Sequence, residues 1–260
     1  MRLAIIGAGP AGLAAAHAAM GLGCEVVVIA PKQKTPQNGP LLMQRPIPGI
    51  NTDHPDGTIH QVVIGGSILD YRYKLYGDIN IGINGDMLRE SYHAWRHRET
   101  YDKLWALYSG LITDDFIEPW ELAILHERFD LVVSTASAKA MCRNKPIHKF
   151  QYKAVAVTQR AEYPGQPDNT IIFNGGEEHF WVRSSKIFGV EVTEWPISAE
   201  PRQSRVIMKP ISTDCNCYPH VLRTGRFGAF KNEVWVDTAY WDTYTAIESM
   251  MSADVIARIK

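Results

Sequence analysis

The stretch MRLAIIGAGPAGLAAAHAAMGLGCEVVVIA, residues 1–30, decides the fold of this chain. Residues 2–6 are an apolar run that predicts a buried strand, and residues 10–21 are an alanine-rich run that predicts a helix. Residues 25–30 predict a second strand. A strand, a tight glycine turn, a helix and a second strand form a βαβ unit, whose two strands should lie parallel.

The turn of this unit reads GAGPAG and matches the G-x-G-x-x-G pattern of dinucleotide-binding turns. Gly7 permits the tight turn, Gly9 lets a diphosphate approach the main chain, and Gly12 lets the helix pack closely on the strand. The helix that starts at Pro10 and Ala11 offers free N–H groups and a partial positive charge to the diphosphate. We therefore predict that these five residues bind the phosphates of a dinucleotide.

The end of the second strand departs from that pattern. An acidic residue normally occupies this place and binds a ribose hydroxyl, but here the position is Ala30, followed by Lys32 and Lys34. The lysines could bind an additional phosphate, as NADP would supply, or they could be solvated surface residues. The motif alone leaves the choice of dinucleotide open, and both Ala30 and Lys32 are counted as cofactor-binding positions.

The remaining chain predicts a change of architecture near residue 150. Residues 31–66 are rich in Pro, Gly, Asn and Asp and predict a long functional loop. Leucine and aromatic residues from Met87 to Leu111 have mostly helical spacing, and residues 129–135 predict another buried strand. Short apolar runs separated by turns then predict an antiparallel sheet, and a closing helix follows at residues 238–259. The predicted strands of that sheet are 152–160, 170–174, 179–188, 190–195 and 205–209.

Four segments resemble known flavoproteins. IIGAGPAGL, residues 5–13, resembles the FAD-binding start of glutathione-reductase-like and amine-oxidase-like enzymes, and FDLVVST, residues 129–135, resembles the strand that returns to their FAD domain. HFWVRSSKIF, residues 179–188, resembles a sheet segment of UDP-galactopyranose mutases. TGRFGAF, residues 224–230, is similar to the C-terminal segment that closes over FAD in the same enzymes.

The resemblance implies FAD as cofactor and assigns roles to matching positions. Gly225, Arg226 and Gly228 would approach the FAD diphosphate or the flavin, with Asp237 near the ribityl or flavin end. Arg183 would face the substrate diphosphate beside the flavin, as the catalytic residue. Two of these residues have simpler interpretations: Arg226 could be a surface turn residue, and Asp237 could cap the closing helix.

The resemblance therefore implies an α/β protein with a Rossmann-like FAD-binding domain, a parallel sheet, an antiparallel sheet region and a small helical insert. The expected divisions are 1–84 and 126–150 for two parts of the FAD domain, 85–125 for the helical insert, 151–212 for the substrate region, and 213–260 for the C-terminal FAD-binding segment with its helix.

The function expected from the sequence is that of an FAD-dependent oxidoreductase with a small or nucleotide-linked substrate. The ribose acid of the mutases is absent and the chain is shorter than a mutase. The resemblance therefore does not imply UDP-galactose as the substrate. The alternatives are a redox-neutral mutase-like flavoenzyme, an NADP-dependent reductase without flavin, and a non-catalytic nucleotide-binding scaffold.

The composition and the cysteine pattern limit the remaining classes of partner and site. The chain has 260 residues, 45% of them hydrophobic, and a formal net charge of -1, so its charge gives no argument for nucleic acid or a membrane as partner. Cys24, Cys142, Cys215 and Cys217 are irregularly spaced, which favours a reducing cytoplasm over a disulfide framework. Cys215 and Cys217 with His220 could hold a metal, but tetrahedral zinc needs about four ligands. Because no second Cys/His cluster is evident in the sequence, we expect no metal site.

Overall fold

The computed structural model describes residues 1–36, 41–81, 91–232 and 234–259. The strands in this part of the chain are β1 (Arg2–Ile6), β2 (Glu25–Ala30), β3 (Leu42–Met43), β4 (Gly57–Ile64), β5 (Ser91–Arg96), β6 (Ile112–Asp114), β7 (Leu131–Ser134), β8 (Phe150–Thr158), β9 (Thr170–Asn174), β10 (Arg183–Ile187), β11 (Val190–Pro196), β12 (Arg205–Thr213) and β13 (Val221–Arg223). The helices are α1 (Pro10–Gly21), α2 (Ile68–Tyr76), α3 (His97–Tyr108), α4 (Pro119–Leu122), α5 (Ala138–Met141), α6 (Gly225–Gly228) and α7 (Val236–Ile259).

The first sheet is parallel throughout and has the order β13-β7-β1-β2-β6. Alternate residues of β1 face opposite layers. Leu3 and Ile5 pack in the cluster that contains α1, α3 and α7, whereas Ala4 and Ile6 pack in a cluster with Phe129 on the other face. Both faces of the sheet are therefore covered, as its continuous apolar strands predict.

The chain order of this sheet places a switch point between β1 and β7. The strands that follow β1 first build outward through β2 and β6, and the later strands β7 and β13 build in the other direction. Ligands of open α/β sheets bind outside the carboxyl ends of the strands at such a point. In this protein, that edge carries the glycine turn of residues 7–12.

The second sheet has the order β12-β8-β11-β10-β9-β4-β5-β3. Its neighbours are antiparallel except for β4 and β9, which are parallel. Phe188 and Gly189 join β10 to β11 in a two-residue turn, with φ angles of 51° and 77°. The predicted α/β architecture, a parallel sheet with a separate antiparallel region, is confirmed.

Three predictions of secondary structure were wrong. Residues 31–66 contain β3 and β4 as well as loop, and the helix predicted from Met87 to Leu111 is strand β5 followed by α3. Residues 87–90 of that prediction lie outside the described part of the chain. The strand predicted at 179–188 begins only at Arg183. The physical reason for the first two is pairing: β5 pairs with β4 across a long sequence separation, and local helical spacing does not reveal such a partner.

The parallel sheet also recruits β6, which lies within the segment expected to form a helical insert. That segment contributes α3 as well, whose Tyr101 and Leu104 are buried in the cluster around α1. In the described ranges, no helix combines the length and apolar character needed to cross a bilayer.

Candidate cofactor and substrate site

The glycine turn is a tight elbow between β1 and α1. Gly7 has φ of 106°, and its N–H donates to the carbonyl oxygen of Ile29 at 3.0 Å. A Cβ on Gly12 would lie 1.8 Å from the carbonyl oxygen of Gly7, and one on Gly7 would lie 2.6 Å from Thr135 Oγ1. A side chain at Gly12 would require backbone movement, whereas one at Gly7 is opposed by the positive φ and by the Thr135 side chain. Gly7 therefore forms the tight turn and Gly12 allows the close helix packing that the sequence predicted.

The outer side of the elbow is open. Gly9 caps α1 without any side-chain hydrogen bond, and Pro10 occupies the first turn of the helix. Among the described residues, the only non-neighbouring atom within 4 Å of a Cβ built on Gly9 is Thr35 Oγ1, at 4.0 Å. The hydroxyl of Tyr101 donates to the carbonyl oxygen of Ala8 at 3.2 Å and accepts the N–H of Thr35 at 3.0 Å, which fixes the elbow and the loop beside it.

The C-terminal glycines lie against this elbow. Gly225 has φ of 70°, and a Cβ there would lie 2.7 Å from the Cβ of Ala11. A Cβ on Gly228 would lie 2.5 Å from the carbonyl oxygen of Ser134, at the end of β7. The structure thus brings Gly225 and Gly228 to the switch point, beside the predicted diphosphate site, although they are more than 200 residues from the elbow in sequence.

The end of β2 shows where the lysines lie. Ala30 is buried and pairs in register with Asp114 of β6, whose carboxylate accepts the N–H of Lys32 at 2.8 Å. Lys34 Nζ lies 2.6 Å from a carboxylate oxygen of Asp102. Asp102 therefore offsets the charge of Lys34. Asp114 was not identified from sequence. It places a carboxylate on β6, next to Ala30 of β2, where the usual ribose-binding acid is absent.

A cavity of about 110 Å³ lies beside α6. Three cationic side chains contribute to its lining: Arg183 from β10, Lys209 from β12 and Arg226 from α6. Apolar and aromatic residues line much of the rest, among them Tyr71 and Phe173. An apolar pocket with a few convergent charged groups is the usual form of a small-molecule site.

The carboxylate of Glu194 partly offsets the positive charge of this cavity. Its buried carboxylate accepts hydrogen bonds from Arg183 Nη2 and from Lys209 Nζ, one on each oxygen. Arg226 Nη2 lies 3.4 Å from Asn232 Oδ1, and no carboxylate of the described residues lies within salt-bridge distance of it. Three cations therefore face one carboxylate, which leaves the cavity with an excess of positive charge.

Burial and charge set the protonation of this cluster. Burial, and then the positive charge of Arg183, lower the pKa of Lys209 to about 7. Burial alone would raise the pKa of Glu194, but Arg183 and Lys209 together hold that pKa below its usual value. Glu194 is therefore ionised at neutral pH, and Lys209 Nζ can hold or release a proton there.

The structure favours one of the two interpretations of Arg226. Its side chain is half-buried and lines the cavity together with Arg183, which argues against an exposed surface-turn residue. Gly225 of the same helix turn lies against Ala11 of the glycine elbow, Gly228 lies against Ser134 of β7, and Arg226 lines the cavity. Nε of Arg183 and Nε of Arg226 are both buried without a hydrogen-bond partner in the described part of the structure.

Asp237 lies in the first turn of α7, and its carboxylate is 2% exposed. It accepts a hydrogen bond from Arg45 Nε at 3.3 Å and lies 3.4 Å from the N–H of Gln44. Burial raises the pKa of Asp237, and Arg45 opposes that shift. Asp237 thus holds the segment after β3 against α7, and its contact with a cofactor stays a prediction.

The expectation that no second Cys/His cluster accompanies the C-x-C pair was wrong. Cys142 and His148 lie beside Cys215 and Cys217, and the ligand atoms of all four side chains lie within 4.8 Å of one another. His220, the histidine chosen from sequence, instead contacts His126, with the two rings tilted by 34° and their centroids 5.0 Å apart. This cluster could not be recognised from sequence because its two halves belong to connections that are far apart in the chain. The two candidate ligands in the first half are separated by five residues, an unusual spacing for a zinc motif.

The two sheets, the glycine elbow and the switch point form an α/β fold that is also seen in solved flavoprotein structures. No family model and no curated protein matches the sequence. Among solved structures, a reduced UDP-galactopyranose mutase is similar with a TM-score of 0.53 and 10% identity, over 97% of this chain and 96% of that one.

Two oxygenases have the same degree of likeness. The tetrameric form of 2-methyl-3-hydroxypyridine-5-carboxylic acid oxygenase has a TM-score of 0.53 and 13% identity, over 99% of this chain and 91% of that one. The p-nitrophenol 4-monooxygenase of Pseudomonas putida has a TM-score of 0.53 and 12% identity, over 96% of this chain and 79% of that one. At these identities the likeness shows the shared fold.

Proposed function

We propose that this chain is an FAD-binding flavoenzyme, an oxidoreductase that acts on a small or nucleotide-linked anionic substrate. The observation that carries the proposal is the position of α6. Its Gly225 lies against Ala11 of the open elbow, its Gly228 lies against Ser134 at the end of β7, and its Arg226 lines the cationic cavity. A dinucleotide held by its diphosphate at the elbow would extend past α6, so its reactive ring would lie near Arg183 and Arg226.

The elbow fits the diphosphate of FAD. Gly9 leaves the main chain bare, and α1 presents its uncapped N-terminus to the same space. Backbone N–H groups and the helix dipole at such an end favour a doubly charged diphosphate. When bound, FAD would supply the electron-transfer chemistry, and the protein would orient the partners and tune their charge.

The cavity fits an anionic substrate group. Arg183 and Arg226 provide planar, permanently charged donors, and these suit phosphate or carboxylate oxygens. Glu194 holds Arg183 in place through the ion pair on its Nη2. Lys209 adds a further positive charge below about pH 7, so binding of an anion should strengthen as the pH falls through that value.

A redox-neutral transfer on a sugar diphosphate is the second candidate. It is supported by the two arginines that face one cavity and by the fold shared with a UDP-galactopyranose mutase. The two candidates differ in stoichiometry. An oxidoreductase consumes one equivalent of electron acceptor or donor per product, whereas a mutase needs reduced flavin but consumes neither.

The cofactor assignment is tested by reconstitution with FAD. Wild-type protein should bind about one FAD per chain and show flavin absorbance, whereas Gly9→Asp should lose FAD because a carboxylate would replace the open contact with the diphosphate. Gly110→Asp is the matched control, since a Cβ at exposed Gly110 has nothing within 4 Å. Colourless wild-type protein that binds NADPH tightly but not FAD would refute the proposal in favour of a flavin-free reductase, and binding of neither nucleotide would favour a scaffold.

A further inference from the structure

All members of the Cys142 cluster (Cys142, His148, Cys215 and Cys217) present ligand atoms to one point. Cys142 Sγ lies 3.7 Å from Cys217 Sγ, and His148 Nδ1 lies 3.3 Å and 3.5 Å from those two sulfurs. Cys215 Sγ completes a set within 4.8 Å. No member of the cluster lines the cationic cavity.

The three separations among Cys142, His148 and Cys217 match those of ligands around zinc. With Zn–S bonds of about 2.3 Å and Zn–N bonds of about 2.05 Å, a tetrahedral site has S···S edges of about 3.8 Å and S···N edges of about 3.5 Å. The observed edges of 3.7, 3.3 and 3.5 Å agree with them. A disulfide would instead need sulfurs about 2.05 Å apart. Three sulfurs and one imidazole nitrogen form a closed structural donor set, and soft thiolates select zinc over magnesium or calcium.

We propose that Cys142, Cys215, Cys217 and His148 bind one structural Zn²⁺ ion. His148 coordinates through Nδ1, and the three cysteines coordinate as thiolates. Each coordinating thiol releases its proton to solvent on binding, so three protons leave per zinc and the bound site carries a net charge of -1.

The surroundings of the sulfurs fit this charge. The backbone N–H groups of Arg143 and Asn144 near Cys217 oppose the effect of burial on its pKa and so favour the thiolate. Arg223 Nη2 donates to the carbonyl oxygen of Cys215 at 2.5 Å, which places a positive charge next to the site. Cys142 and Cys215 are each 3% exposed, so the ion would be largely shielded from water.

The position of the site suggests its purpose. Cys142 and His148 belong to the connection that leaves β7 and α5 for β8, whereas Cys215 and Cys217 belong to the connection that returns from β12 to β13. Zinc would therefore cross-link the outgoing and returning connections between the two sheets. This cross-link would fix α6 and Arg226, which follow β13, relative to the second sheet. The proposal stands on this cluster alone and does not depend on the bound nucleotide.

The first test is metal content and geometry in the full-length protein, purified under reducing conditions and dialysed against metal-free buffer. Elemental analysis should find about one zinc per chain. Exchange with Co²⁺ should give strong thiolate-to-cobalt charge-transfer bands and the intense visible bands of a tetrahedral ion. Metal-free protein that gains no such spectrum when Co²⁺ is added would overturn the proposal, as would a disulfide between Cys142 and Cys217 in the reduced preparation.

The second test uses matched cysteine variants. Loss of a residue that hydrogen-bonds to a metal ligand weakens metal binding by roughly 10- to 100-fold. Cys217→Ser removes a ligand itself and should therefore weaken Zn²⁺ binding by a larger factor. Cys24→Ser, in the buried cysteine outside the cluster, should keep one zinc per chain even if it lowers the melting temperature. Equal zinc content in both variants would contradict the assignment. Because neither readout uses FAD or activity, failure here is distinguishable from failure of the proposed flavin chemistry.

Discussion

The buried lysine of the cationic cavity makes a quantitative prediction about stability and pH. Lys209 is 6% exposed, and burial together with Arg183 lowers its pKa to about 7. In the unfolded chain its pKa returns to about 10.4. Between these values the unfolded state binds one more proton than the folded state, so the free energy of unfolding rises with pH. Below pH 7 both states are protonated, and Lys209 contributes no slope.

The size of this effect follows from the two pKa values. Between pH 7 and pH 8.5, Lys209 alone should raise the free energy of unfolding by roughly 2 kcal/mol, and the slope should approach the limit for one proton per molecule. Lys209→Met should remove this rise because methionine does not titrate. Glu194 keeps Arg183 as a partner in that variant, which limits the cost of breaking the pair.

The assay is urea unfolding at several pH values, with the linear extrapolation applied at each. Lys186→Met is the matched control, since it removes a less buried lysine of the same sheet that pairs with Glu191 at 3.4 Å. The control should keep the wild-type rise. Equal slopes in wild type and Lys209→Met, or no rise in wild type above pH 7, would refute the reasoning.

The remaining predictions concern the elbow and the anion site. Gly12→Ala should lower the free energy of unfolding by about 3 kcal/mol or more, because its Cβ would lie 1.8 Å from the carbonyl oxygen of Gly7. Gly21→Ala is the control and should be neutral or stabilising, since a Cβ there has nothing within 4 Å. Equal melting temperatures for the two variants would contradict this. Arg226→Met should weaken pyrophosphate binding about tenfold or more. The loss is measured as a smaller rise in melting temperature when pyrophosphate is added. The ligand-free variant should keep the wild-type melting temperature, because Arg226 has no carboxylate partner among the described residues. An unchanged pyrophosphate response would show that Arg226 does not bind the anion.

The opening unit was predictable because its determinants are local. β1, α1 and β2 have the bounds expected from the apolar runs and the glycine spacing. The roles of Gly7 and Gly12 followed from general turn geometry, and the clashes measured at both positions agree with them. The backbone of this unit therefore depends on residues that are close together in the chain.

The cavity was predictable only in part. Arg183 was found through the resemblance, but Glu194 and Lys209 were missed because they come from other strands. One signal was present: a two-residue turn at Phe188 and Gly189 sets the register that places Arg183 directly opposite Glu194. Lys209 has no such signal, since β8 separates β12 from β11.

The Cys142 cluster was missed for a similar reason. The C-x-C pair was visible, but its partners lie in a connection more than 60 residues earlier, between the two sheets. The four ligand side chains come together only because the two connections cross in space. The hydrophobic periodicity of either segment does not predict that crossing. The choice of His220 failed because nearness in sequence was taken for nearness in space.

The central claim is that the elbow at Gly9 holds the diphosphate of FAD. The most direct measurement is mass spectrometry of the small molecule released when the purified protein is denatured. We expect FAD at about one molecule per chain. Release of NADP, or of no nucleotide from protein that also fails to take up added FAD, would contradict the account.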